Sequence, residues 1–229
     1  MIIKTYNFYD ILHELQENDS IDELQTYIND IARTFVTLSD RTELRVVICT
    51  AEDDILFDLQ DKKIYGLAIY VKNCWLRGLY TEVANELCET TAMLMGLVNT
   101  VNIRQGETLA IATYEGTNID VYKTIINKPV MYLSQIWVNS ENRGEGLFKL
   151  LFEEVLKGKT TECFMITETL FGSYNSAVPP GFLYSLYIDK YNFIKIGYSL
   201  NEPDKLINEE NTPNMDMLEE VFNLLIRNI

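Results

Sequence analysis

The chain has 229 residues, 34 acidic against 19 basic, which gives a formal net charge of −15 with one histidine; 47% are apolar and 23% charged. That length and composition support one well-buried core and exclude a disordered chain. The acidic balance, with no dense Lys/Arg cluster, opposes direct binding to a phosphate backbone, so nucleic acid is not an expected partner, whereas a cationic amine would be attracted.

No apolar run approaches the roughly 20 residues that span a bilayer. The start, MIIKTYNFYD, lacks the basic and apolar regions of a signal peptide. No membrane association and a cytoplasmic location are therefore expected. Cys49, Cys74, Cys88 and Cys163 form no CxxC pair and sit beside apolar residues, the pattern of buried free thiols; with a single histidine, no metal is expected. With no repeat or Gly/Ser-rich linker, one domain over 1–229 is the default.

Ile2 to Tyr6 suits a short first strand, and Phe8, Ile11, Leu12 and Leu15 follow at helical spacing. Ser20-Ile21-Asp22-Glu23 reads as a capping box, and Ile21, Leu24, Ile28, Ile31 and Phe35 then form one apolar stripe of a second helix. Leu44 to Thr50 is a continuous β-branched run, and Ile55–Leu59 and Ile64–Val71 flank a polar turn, as in a hairpin. Glu52-Asp53-Asp54 reads as a solvated loop.

Thr81 to about Val101 has helical spacing, and Leu109–Tyr114 and Val130–Val138 read as strands. A helix is expected between Val138 and the next strand, Cys163–Thr169. Pro179 and Pro180 suit the first turn of a helix running through Lys190. Phe193–Leu200 reads as a strand. The tail, with Met217, Leu218, Val221, Phe222 and Leu225, reads as an amphipathic helix capped by Asn214. The order predicts an α/β protein, a mixed sheet flanked by helices.

Between Val138 and that central helix lies NSENRGEG. A glycine-rich turn from a strand into a helix exposes backbone N–H groups at the helix's positive end, an arrangement suited to phosphate. Arg143 can add a charge-assisted contact. The turn lacks the Lys-Ser/Thr of a P-loop and the three-glycine spacing of a dinucleotide fingerprint.

In VNSENRGEGLFKLLFEEVL, Arg143, Gly146 and Phe148 fall where the GCN5-related N-acetyltransferases (GNAT) carry Arg/Gln-x-x-Gly-x-Gly/Ala after a strand, with Phe148 departing from Gly/Ala; Leu147, Leu150 and Leu151 match the helix that follows. LYIDKYNFIKIG resembles the same family's Leu-Tyr-x-x-x-Gly-Phe-x-x-x-Gly element. Asn192 stands there in place of glycine, and five residues rather than four separate Tyr187 from Phe193. Asparagine is the residue best able to accept the left-handed backbone that such a position needs. KIYGLAIYV is a weaker echo of a family strand.

The resemblance implies a GNAT-like central sheet with an insertion at about 72–128 and an extra C-terminal helix from about 214. It also implies acetyl-CoA as cosubstrate and direct acetyl transfer to a primary amine of a small molecule or protein. Ile136, Trp137 and Val138 would then pair with the pantetheine arm, and Arg143, Gly144, Glu145, Gly146, Leu147 and Phe148 would cradle the pyrophosphate, with Asn175 as a further cofactor contact. Tyr187 would be the acid. Glu168 is the first candidate base, ahead of Glu115; His13 reads as an exposed helix residue. A second copy of the chain is admitted as a partner.

Glu141 and Glu145 flank the cradle with like charge. The alternative reading is an inactive protein of this fold that binds a partner through its insertion and acidic surface. A Cys or Ser hydrolase is disfavoured, since no nucleophile motif surrounds any cysteine and the one histidine lies near the N-terminus.

Overall fold

A computed structural model of the chain describes residues 1–36, 43–51, 59, 62–74, 111–112, 130–159, 164–170, 182–200 and 221–229. In chain order these form β1 (Ile2–Asn7), α1 (Leu12–Gln16), a 3-10 segment (Asp19–Leu24), α2 (Gln25–Val36), β2 (Leu44–Thr50), β3 (Ile64–Cys74), β4 (Ile111–Ala112), β5 (Val130–Val138), a 3-10 turn (Ser140–Asn142), α3 (Leu147–Lys157), β6 (Phe164–Leu170), α4 (Phe182–Ser185), a π turn (Leu186–Lys190), β7 (Ile194–Leu200) and β8 (Val221–Asn228). The α/β expectation is met. The expected segments 55–58, 81–101 and 214–220 lie outside the described residues.

The chain divides into two compact units, one made of residues 1–73, 131–163 and 229, the other of residues 74–130 and 164–228. In the first, the strand order is β1, β2, β3, β5, with β1 antiparallel to β2 and β2 antiparallel to β3. Strands β2 and β3 read as almost unbroken apolar runs because both their faces are covered: Val46, Val47, Ile48, Leu67, Ala68 and Ile69 are all buried.

Helix α3 packs on β3 through a missing side chain. A Cβ at Gly66 would lie 2.9 Å from Leu151 Cδ1 and 3.0 Å from the Trp137 carbonyl oxygen, so glycine admits both the helix and the neighbouring strand. Leu147, Leu151, Phe152 and Val155 form the buried stripe of α3, while Leu150 is exposed. The predicted stripe of the N-terminal helices is likewise buried at Ile21, Leu24, Ile28 and Ile31.

The expected capping box does not form. Asn18 is the cap: its side-chain oxygen accepts from the Ser20 N–H at 2.9 Å, and its amide donates to the carbonyls of Leu59 and Lys62. Ser20 Oγ accepts instead from the Ile64 N–H at 2.9 Å, which ties the segment to the start of β3. Glu23 turns to Trp137.

In the second unit the order is β6, β8, β7, β4. Strand β8 lies between β6 and β7 and is antiparallel to both. This corrects the expected C-terminal helix over 221–228. The apolar residues there satisfy a helical stripe and a doubly paired strand equally well, and ladders on both sides satisfy the backbone groups of the strand.

Candidate functional site

The turn after β5 is assembled from local chemistry. Asn139 N–H donates to the Tyr65 carbonyl at 2.9 Å, which fastens the end of β5 to β3. The Asn139 side chain then accepts from the Glu141 N–H at 3.0 Å and starts the 3-10 turn. Arg143 is extended, and its Nε donates to the Val138 carbonyl at 3.3 Å, so the guanidinium folds back over the strand end.

Gly144 and Gly146 have φ of +88° and +81°. A Cβ built on either meets nothing within 4 Å, so backbone conformation rather than crowding demands glycine there. Gly146 is the N-cap of α3, and Leu150 is the first helix residue after it whose N–H reaches a helical carbonyl, that of Gly146 at 3.2 Å. The N–H groups ahead of it precede the first helical hydrogen bond, at the positive end of an 11-residue helix with no side-chain cap.

Both acidic neighbours of the turn are exposed. Glu141 is paired with Lys63 Nζ at 2.5 Å. Hydrogen bonding and charge from Lys63 hold its carboxyl below the usual carboxylate range, and hydrogen bonding and charge from Glu141 in turn raise the Lys63 ammonium. A negative charge flanking the turn therefore carries its own counter-ion. Phe148, the departure from Gly/Ala, is half-buried and stacks on Phe152, with centroids 6.5 Å apart and planes at 11°, so its ring is engaged along the helix flank.

In the second unit, Tyr187 lies in the π turn, 4% exposed and edge-on to Phe193 with centroids 5.0 Å apart. Its carbonyl accepts from the N–H of both Tyr191 and Phe193. A π turn takes up one more residue than an α turn, which accounts for the extra residue between Tyr187 and Phe193. Asn192 has φ of +54°, the left-handed conformation expected of it. Glu168 is on β6, where its backbone faces Leu224 of β8. Asn175 and Glu115 lie outside the described residues.

The His13 side chain is 79% exposed on α1, with Nδ1 3.4 Å from Glu17, the C-cap of that helix. Cys49 is a buried free thiol. Sequence reasoning missed the link between Glu23 and the Trp137 indole, because no local pattern relates residues 114 positions apart.

No protein-family model matches the chain, and no protein of curated function does. Solved structures align with it over nearly its full length. Arylalkylamine N-acetyltransferase 2 from Aedes aegypti aligns at 13% identity and a TM-score of 0.46, covering 100% of both chains. NAA60 of Arabidopsis thaliana, solved with a bisubstrate analogue, aligns at 11% and 0.42, covering 100% of this chain and 99% of that one. A histone acetyltransferase HPA2 and related acetyltransferase from Corynebacterium glutamicum aligns at 11% and 0.41, covering 99% and 96%. The first and the third of these are acetyltransferases by name.

Proposed function

We propose that the chain is an acetyl-CoA-dependent N-acetyltransferase acting on a primary amine of a small molecule or protein. The observation that carries this reading is the turn Arg143–Gly146, where two left-handed glycines with open space at their Cβ positions lead into the positive end of α3 beside an arginine. Such a turn fits a pyrophosphate, because glycine at both left-handed positions leaves no side chain there to hold an anion off the helix end, and Arg143 stands beside it. The pairing of Glu141 with Lys63 supports it, since it removes one of the two charges that would oppose an anion there.

Acetyl-CoA would supply the activated acyl group. The residues that would hold it are Arg143, Gly144, Glu145, Gly146, Leu147 and Phe148, together with the backbone of Ile136, Trp137 and Val138. In this reading Tyr187 is the acid, since a phenol keeps its proton at neutral pH. Glu168 is the base that takes the ammonium proton of the acceptor.

Isothermal titration with CoA and with acetyl-CoA tests the cradle directly. Binding that weakens in Arg143→Ala supports it, and no binding at millimolar concentration overturns it. Tyr187→Phe keeps the ring packed on Phe193, so a lower kcat with unchanged CoA affinity separates an acid from a core tyrosine.

A further inference from the structure

Strand β5 carries no carboxylate, yet the fold brings one to it. Glu23, in the 3-10 segment just before α2, accepts a hydrogen bond from the Trp137 indole Nε1. One helical turn further on, the Tyr27 hydroxyl meets Ser134 Oγ at 2.6 Å. The two pairs run antiparallel, 23 with 137 and 27 with 134, and make a polar seam between α2 and β5.

The flanking residues of that helix, Leu24, Ile28 and Ile31, are buried in the usual apolar manner, so the seam is a local departure from it. The two ends of the first bond differ. Trp137 is 8% exposed and anchored in the sheet, whereas Glu23 remains exposed. The indole N–H holds one oxygen of the carboxylate, and Glu23 itself stays exposed beside the strand whose next residue, Val138, leads into the glycine turn.

We infer that Glu23 is the counter-ion for the ammonium group of the acceptor and that Trp137 is the residue that positions it. The inference rests on the acetyltransferase reading only for calling this amine the acceptor. An acidic protein concentrates cations at its surface in any case; a carboxylate held against β5 by an indole converts that general attraction into a placed contact.

The test compares phenethylammonium with its neutral analogue 2-phenylethanol, followed by titration calorimetry and by tryptophan emission, with a CoA titration on every variant. Wild type is expected to prefer the cation and to shift its emission on binding. Glu23→Gln, which keeps an acceptor for the indole but loses the charge, is expected to bind the cation roughly fivefold more weakly, the upper range for a partly exposed ion pair, with 2-phenylethanol and CoA unchanged. Trp137→Phe should lower the preference in the same direction. Tyr27→Phe, which breaks the neighbouring pair and leaves both Glu23 and Trp137 in the chain, should keep it.

A wild type without preference for the cation, or a Glu23→Gln protein that retains the preference in full, overturns the inference. If Glu23→Gln does not fold, Trp137→Phe decides, and an undiminished preference there overturns it as well. Failure of wild type to bind CoA would sink the acetyltransferase reading and leave the amine contact to be judged on its own arm.

Discussion

Gly146 offers the sharpest test of the turn, because its φ of +81° is the whole reason for its identity. An L-residue in the left-handed region costs roughly 1–2 kcal/mol, and the methyl of Gly146→Ala adds no clash, since its Cβ meets nothing within 4 Å. Part of that cost is offset by the reduced freedom of the unfolded chain, about 0.4–1 kcal/mol. A net loss near 1 kcal/mol follows, or a fall in Tm of about 2–4 °C for a chain of this size.

Gly146→Asn should lose less than half as much, because asparagine tolerates the same backbone. Thermal unfolding followed by circular dichroism measures both. Affinity should behave differently: either side chain enters the open space before the helix end, so CoA binding should weaken in both variants even where asparagine restores stability. An alanine variant as stable as wild type, or an asparagine variant no better than alanine, refutes the claim that the turn is held left-handed.

Lys63→Ala should weaken CoA binding by no more than a few-fold, by leaving Glu141 without its counter-ion, and Lys63→Ala with Glu141→Ala should restore it; additivity of the two would show that the pair does not matter. The same pair has a pH window. The Glu141 carboxyl is lowered, so its contribution is lost as pH falls through that lowered value; the Lys63 ammonium is raised, so its contribution is lost as pH rises through its raised value. The Lys63→Ala effect should therefore be flat near neutrality and disappear in acid, as read by calorimetry at several pH values. Gly158→Ala would place a Cβ 2.6 Å from Tyr70 Oη, a buried ring with little room to retreat, so a loss of about 1–3 kcal/mol in urea unfolding is expected. Burial raises the Cys49 thiol, so in the folded protein it should react with iodoacetamide far more slowly than in urea, as mass spectrometry of the Cys49 peptide would show.

Much of this protein follows from local demands that single residues cannot hide. Gly144 and Gly146 stand where the backbone turns left-handed, and Asn192 stands where a glycine would have served, because φ is a property of one residue and its neighbours. The stripes Ile21–Ile31 and Leu147–Val155, and the β-branched run Leu44–Thr50, reveal their elements because period and burial are coupled along a short segment.

Only the tertiary structure decided the rest. Residues 221–228 became a strand because β6 and β7 both pair with them, and a stripe of apolar residues cannot announce two neighbours that arrive from elsewhere in the chain. Ser20 left its capping box for the Ile64 N–H, a partner 44 positions away. Glu23 met the Trp137 indole for the same reason: the spacing of a carboxylate and an aromatic in sequence carries no information until the helix has packed on the sheet.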